Sequence, residues 1–380
     1  MSEEPIFLDY QSTTPLDPAV LEEMLPWMGG PANPHSTENA FGLRAQEAVN
    51  TARSDISKSL NCDPEGVLFT SGATEAANLV LQSFAGANRK IILSAVEHSC
   101  ITETARELRT RGALIETVGV DEYGLIDLEE LSQKIEGATL LSVMAVNNEI
   151  GTIQPIQDIA NVAEMEGVPY LCDASQALGR IFLSDTAGLT YRILSSHKIY
   201  GPAGIGAIVA HPDDIQALKP LMYGGAQQSG VRPGTLPTAL CVGFARAIML
   251  AETRREEDWK TAELNSAAFI ECLRAQNLDF VINGGIDDRV PHNLNIYFSG
   301  VHADALLNSV PNLALSTGSA CRSGAIEASG VLTAIGCNTE RASNSIRVGF
   351  GRFSNSADVI LAANILAKAV LQQVSSKASR

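Results

Sequence analysis

The sequence predicts an α/β protein: a large domain with a mostly parallel, doubly wound sheet, plus a smaller α+β C-terminal domain. Three observations carry this. From about residue 65, short apolar runs alternate with segments of helical composition, the order that a parallel sheet with crossover helices requires. After a glycine-rich loop, Gly224-Gly225 through Gly234-Thr235, the alternation gives way to a long helical stretch and then to separate strands and helices. The chain has 380 residues, 45% hydrophobic and 18% charged. That is enough for about two or three domains and for a core without disulfide staples, and the balance excludes extended disorder.

In order, 66–70 is a short apolar run ending in the turn Ser71-Gly72-Ala73-Thr74, and 75–85 has helical composition. Strands are expected at 90–94, 113–120, 139–146, 169–172, 193–195 and 204–210, with helices at 100–111, 127–135 and 158–166 between them. The stretch 236–276 reads as helical and includes the charged run Arg254-Arg255-Glu256-Glu257-Asp258. Strands at 280–283, 293–298 and 345–350, a helix at 303–309, a Ser/Gly loop at 315–324 and an amphipathic helix at 356–374 complete the chain. The large domain is expected over 15–255. The small domain then takes 1–14 and 256–380.

Composition also narrows function. The net charge is −16 and no Lys/Arg-rich run occurs, which argues against direct binding to nucleic acid or to an anionic membrane. The start, Met1-Ser2-Glu3-Glu4-Pro5, lacks the basic and apolar parts of a signal peptide. The apolar stretches at 139–146 and 359–374 are too short or too interrupted for a membrane span. A soluble, cytoplasmic protein is expected. The seven cysteines, Cys62, Cys100, Cys172, Cys241, Cys272, Cys321 and Cys337, are scattered, with no C-x-x-C pair and no metal spacing. Neither a disulfide framework nor a metal site is expected. Most of the thiols should act as small hydrophobes.

Open α/β sheets place ligands at the strand ends, and four such ends share a theme. The turn 70–75 offers free helix N–H groups and a glycine for close backbone approach, a fit for a phosphate. It is also a common structural turn. Asp173, after an apolar strand, serves either as a helix N-cap or as a carboxylate facing a cationic ring nitrogen. Lys198, in Ser195-Ser196-His197-Lys198 before Gly201-Pro202, lies between a strand and a Gly/Pro turn, where a buried amine becomes a nucleophile for a carbonyl. Glu97-His98 follows a strand and places an imidazole where it can stack on a planar group. Phosphate cradle, acid, amine and flat ring on one sheet edge fit pyridoxal 5'-phosphate, with Lys198 as the amine that condenses with its aldehyde and Asp173 as the partner of its ring nitrogen.

With these residues in place, the sequence resembles the cysteine desulfurases related to NifS and IscS, in the class V aminotransferase group of fold type I. The resemblance runs from Phe7-Leu8-Asp9-Tyr10 to Gly351-Arg352-Phe353. Its markers include Thr13-Thr14-Pro15, Asn33-Pro34, 69–75, Asn147-Asn148-Glu149-Ile150-Gly151, 173–176, 195–202, 232–235, 316–321 and Ser345-Ile346-Arg347. It implies that Ala73, Thr74, Ser195 and His197 hold the cofactor phosphate, that His98 stacks on the ring, and that Gln176 and Asn148 contact the phenolic-oxygen side. Thr235 would reach the phosphate in the neighbouring subunit of a homodimer. Arg347, helped by Asn33, would grip the substrate carboxylate, which a bidentate fork suits. Cys321, in Ser319-Ala320-Cys321-Arg322-Ser323, would be the nucleophile that takes sulfur from L-cysteine as a persulfide. It would then pass the sulfur to an acceptor protein of iron–sulfur cluster assembly, tRNA thiolation or DNA phosphorothioation.

Several positions leave the family's common pattern: Gln11-Ser12 for Ser-Ala, Asn39 for histidine, Ser196 for glycine, Arg322 for a small hydroxyl residue, and Ala226, Gln228 and Ser229 for Gly, Glu and Arg. None removes a catalytic group. Two alternatives stay open: a selenocysteine lyase or aminotransferase with the same cofactor, and a non-catalytic scaffold homologue.

Overall fold

The structure, a computed structural model, describes residues 4–183, 188–317 and 328–378. Its centre is a seven-stranded sheet in the spatial order Val67–Thr70, Gly206–Val209, Tyr191–Ser195, Tyr170–Asp173, Ala138–Ser142, Lys90–Ser94, Leu114–Val118. Six strands run parallel; Gly206–Val209 is antiparallel to both its neighbours. The link 196–205 is too short to carry a crossover back to the other end of the sheet, so the strand returns antiparallel.

Both faces of this sheet are covered, which is why its strands read as continuous apolar runs. Alternate side chains go to opposite faces. Phe69, Ile92, Leu141, Cys172 and Leu194 pack against Ile56 and Phe244 on one side. Leu68, Ile91, Leu140, Leu171 and Ile193 pack against Leu79 and Ile101 on the other. The helices Pro18–Met28 and Ala40–Ser59 precede the region in which the sequence pattern is plain. Pro26 inside the first and the polar composition of the second hide them.

The expected continuous helix over 236–276 is two helices, Thr238–Thr253 and Arg255–Ala275. The second begins with Glu256, Glu257 and Asp258 in its first turn, where the helix dipole favours acids. Asp258 turns inward onto Arg352, which donates to it from Nη2 (2.7 Å) and Nε (3.1 Å) and to Asp17 from Nη1 (2.7 Å).

A second core gathers around an antiparallel sheet ordered Ser345–Gly349, Asn293–Phe298, Phe280–Ile282. Leu8 from the N-terminal segment joins Phe269, Ile296, Ile346 and Leu366 there. A short parallel pair, Ile6–Phe7 with Leu313–Ala314, fixes that segment. The C-terminal helix Ser356–Ala378 includes a stretch, Ser356–Ser376, long and apolar enough by composition to cross a membrane. Its Val359, Ala362, Leu366 and Val370 are buried in the second core.

Candidate active site

The C-terminal ends of the parallel strands open into a cavity of about 660 Å³. Ala73, Thr74, His98, Asn148, Asp173, Gln176, Ser195, His197, Lys198 and Arg347 all line it. Asn33 and Thr235 do not; both are exposed. They share one patch, because the His35 N–H donates to Asn33 Oδ1 and His35 Nε2 accepts from the Leu236 N–H. Cys321 and Arg322 lie outside the described residues.

At one end is the N-terminus of the helix Ala73–Phe84, whose N-cap Gly72 (φ 153°) supplies no side-chain cap. A Cβ on Gly72 would meet nothing within 4 Å, so the first-turn N–H groups face open space. Glu75, the acid of that turn, also lines the cavity, but its charge is paired. Its carboxylate accepts from the Ser71 N–H (2.7 Å) and from Arg232 Nε (2.9 Å), and despite its burial these donors hold it below the ordinary carboxylate range. The turn is left able to receive an anion.

Lys198 closes the short turn Ser196–Lys198 after the strand Tyr191–Ser195. Its Nζ donates to the carbonyls of Gln11 (2.6 Å) and Ser12 (2.7 Å). The turn is held from below. Tyr200 has φ 66°, a conformation costly for an aromatic residue. Its N–H donates to Thr14 Oγ1 and its hydroxyl accepts from the Arg352 N–H, both at 2.7 Å. Ser196, where the family has glycine, is accommodated by Gly201: a Cβ there would lie 2.1 Å from Ser196 Oγ.

Asp173 ends its strand with Oδ1 accepting from the Ser175 N–H at 2.9 Å. It is both a backbone cap and a cavity carboxylate. His98 caps the helix Ser99–Thr110, its Nδ1 accepting from the Cys100 N–H at 3.2 Å, which assigns the ring proton to Nε2. Burial, with the Lys198 and Arg347 charges, outweighs the pull of Asp173 and lowers its pKa. His197 is pushed down to about 4 by burial and then by Lys198; its Nδ1 lies 3.0 Å from Thr13 Oγ1. Gln176 donates to the Gln11 carbonyl (2.9 Å) and receives Arg180.

Arg347, on the strand Ser345–Gly349 of the second sheet, reaches into the same cavity. It donates from Nη1 to the Asn148 carbonyl (3.1 Å) and from Nη2 to Asp9 Oδ1 (2.9 Å) and Ser12 Oγ (2.8 Å).

Sequence reasoning gave no role to Asp9, Glu97 or Glu149. Glu97, beside His98, is buried, with Oε1 accepting from the Met144 N–H at 2.6 Å. Burial, reinforced by Asp173, holds its pKa well above the ordinary carboxylate range. Glu149 also has its pKa raised by burial and accepts from Ser329 Oγ at 2.5 Å. The only sequence signal for these acids is an Asp or Glu set among apolar residues near a strand end. Among the described residues no group of three or more His, Cys, Asp or Glu could hold a metal ion. Cys100, Cys172 and Cys241 are buried, and Cys62, Cys272 and Cys337 are half-buried. Burial raises the thiol pKa of Cys62, Cys172, Cys241 and Cys337, which makes them poor nucleophiles.

An uncapped helix N-terminus, a lysine amine, a carboxylate and an imidazole around one cavity fit pyridoxal 5'-phosphate, and with this sheet they define a fold type I enzyme. The class-V aminotransferase family model matches residues 6–361. Cysteine desulfurase IscS of Rickettsia prowazekii is 40% identical over 369 residues, covering 95% of this chain and 90% of that protein. A NifS-like protein from Rickettsia africae superposes with a TM-score of 0.87 at 26% identity, covering 98% of this chain and 99% of that one. SspA, solved in complex with cysteine, gives a TM-score of 0.81 at 30% identity, covering 92% and 100%. The chain belongs to the class-V aminotransferases and, within them, to the cysteine desulfurases, which depend on pyridoxal 5'-phosphate.

Proposed function

We propose that this protein converts L-cysteine to L-alanine and carries the sulfur as a persulfide on Cys321. The observation that supports this most is the convergence of Lys198, Asp173, His98 and Arg347 on one cavity, the last delivered by a different sheet. When bound, the cofactor supplies an electron sink for the charge left by loss of the substrate α-proton. Ala73 and Thr74 N–H groups, with Ser195 and His197, hold its phosphate. Asp173 keeps its ring nitrogen protonated, and His98 lies against the ring. Gln176 and Asn148 stand on the phenolic side. Lys198, released from the Gln11 and Ser12 carbonyls, takes the α-proton. Arg347 holds the substrate carboxylate; Asn33, outside this cavity, would assist only from the neighbouring subunit. The substrate's C–S bond breaks as a bond forms from its sulfur to Cys321 Sγ. The C–S electron pair goes to the β-carbon, which takes up a proton; Lys198 returns its proton to the α-carbon, and alanine leaves.

The chain is read as a cytoplasmic homodimer of subunits with a large domain over 15–255 and a small domain over 1–14 and 256–380. The second core, which joins Leu8 to residues beyond 261, supports that division. Exposed Leu25, Met28, Phe41 and Tyr223 offer an apolar dimer face, and the patch holding Asn33 and Thr235 suits a contribution to the neighbour's site. The sulfur passes to an acceptor protein of iron–sulfur assembly, tRNA thiolation or DNA phosphorothioation. Mass spectrometry after incubation with L-cysteine tests the core of the proposal. One added sulfur atom on Cys321 and equimolar alanine are expected, and Cys321→Ser abolishes both. Alanine production at the parental rate by Cys321→Ser would refute it in favour of an aminotransferase-type reaction.

A further inference from the structure

Arg347 is more fully engaged than a free carboxylate grip should be. Both Nη2 protons are spent, one on Asp9 Oδ1 at 2.9 Å and one on Ser12 Oγ at 2.8 Å. Nη1 gives a proton to the Asn148 carbonyl. Nε is buried and, among the described residues, has no acceptor. A carboxylate binds a guanidinium through two parallel N–H bonds. The side-on fork uses Nε with Nη2, and the end-on fork uses Nη1 with Nη2. Each needs an Nη2 proton, so an incoming carboxylate must displace Asp9 or Ser12.

The surroundings decide which one yields. Asp9 does not line the cavity, and it is held from behind by Ser316 Oγ at 3.0 Å. It is also charged, the stronger acceptor for a guanidinium. Ser12 lines the cavity, is neutral, and can swing its hydroxyl away about a single torsion. That rotation leaves its backbone, whose carbonyl accepts from Lys198 Nζ in this structure, where it is.

We propose that the Ser12 hydroxyl is a placeholder on Arg347, occupying the position that one oxygen of the amino-acid carboxylate takes and so setting how weakly the amino acid is held. The second carboxylate oxygen completes the fork on the N–H that runs parallel to the one Ser12 vacates, on Nε or on Nη1. Asp9 stays in place throughout and keeps the guanidinium plane oriented. Ser12 is a positioning residue that sets affinity, and the proposal rests on Arg347 being the carboxylate grip.

The test compares two ligands that cannot donate sulfur, L-alanine and L-alaninamide, titrated by calorimetry into the cofactor-loaded protein. Losing one charge-assisted hydrogen bond that competes with the ligand predicts that Ser12→Ala binds L-alanine about three- to tenfold more tightly. The amide, which has no carboxylate, should bind equally to both proteins. Ser12→Thr keeps the hydroxyl and should keep the parental affinity. Ser12→Gly carries the same prediction as Ser12→Ala should the latter fold poorly. The KM for L-cysteine should fall by the same factor. Unchanged or weaker L-alanine binding in the hydroxyl-free variants overturns the proposal, as does an equal shift for acid and amide. If the parent itself fails to prefer the acid over the amide, the assignment of Arg347 fails instead.

Discussion

Glu97 is buried against the cavity wall with Oε1 on the Met144 N–H and Oε2 unpartnered among the described residues. Burial first, then the Asp173 charge, raises its pKa well above the ordinary value, so the folded protein holds a proton there that the unfolded chain releases. Wherever the folded state binds more protons than the unfolded one, stability falls as pH rises. The loss is present above the unfolded carboxyl pKa and grows until the folded pKa is reached. Its slope is about 1.4 kcal/mol per pH unit for one proton. Glu97→Gln keeps the shape and the acceptor for Met144 but cannot titrate. While folded Glu97 keeps its proton, the stability of the variant relative to the parent should rise steadily with pH from the unfolded carboxyl range upward, at that slope. Any fixed cost of the amide cancels in that slope. Urea unfolding of the two cofactor-free proteins, side by side across this range, measures it. Parallel curves, with a gap that does not change with pH, would refute the placement of a protonated acid beside Asp173.

Two further outcomes are expected. Arg352→Met leaves Asp17 and Asp258, both buried, without their main cation. It should cost about 3–5 kcal/mol in unfolding free energy, as removal of one partner of a buried ion pair does; a loss below about 1 kcal/mol would show that Arg352 does not tie the N-terminal helix to the second core. His197, held down to about 4 by burial and by Lys198, should stay neutral and show no NMR titration between about pH 5.5 and 8. A midpoint near the ordinary histidine value would contradict its burial beside the lysine.

Most of the cavity was legible in the sequence because local pattern carries it. A strand buried on both faces is an apolar run, its end is a turn, and ligands gather at such ends. That placed Ala73, His98, Asp173 and Lys198 on one edge without coordinates. The family resemblance added Arg347, which no local pattern ties to that edge. The helices Pro18–Met28 and Ala40–Ser59 were not read, and the strand expected at 204–210 was read without its antiparallel direction. A helix with an internal proline lacks the expected pattern, and strand direction depends on the connection rather than on composition.

The sequence by itself determined the alternation of strands and helices and the chemistry of the residues at the strand ends, because both follow from side-chain type and spacing over a few residues. Only the tertiary structure decided how those residues are held. Lys198 is gripped by carbonyls of Gln11 and Ser12, and Arg347 by Asp9, Ser12 and the carbonyl of Asn148, all far away in the chain. Every residue has a backbone carbonyl, so a carbonyl acceptor leaves no mark in the sequence. Arg347 meets Asp9 and Ser12, more than three hundred residues earlier, only because the N-terminal segment is drawn into the second core by Leu8 and by the pairing of Ile6–Phe7 with Leu313–Ala314.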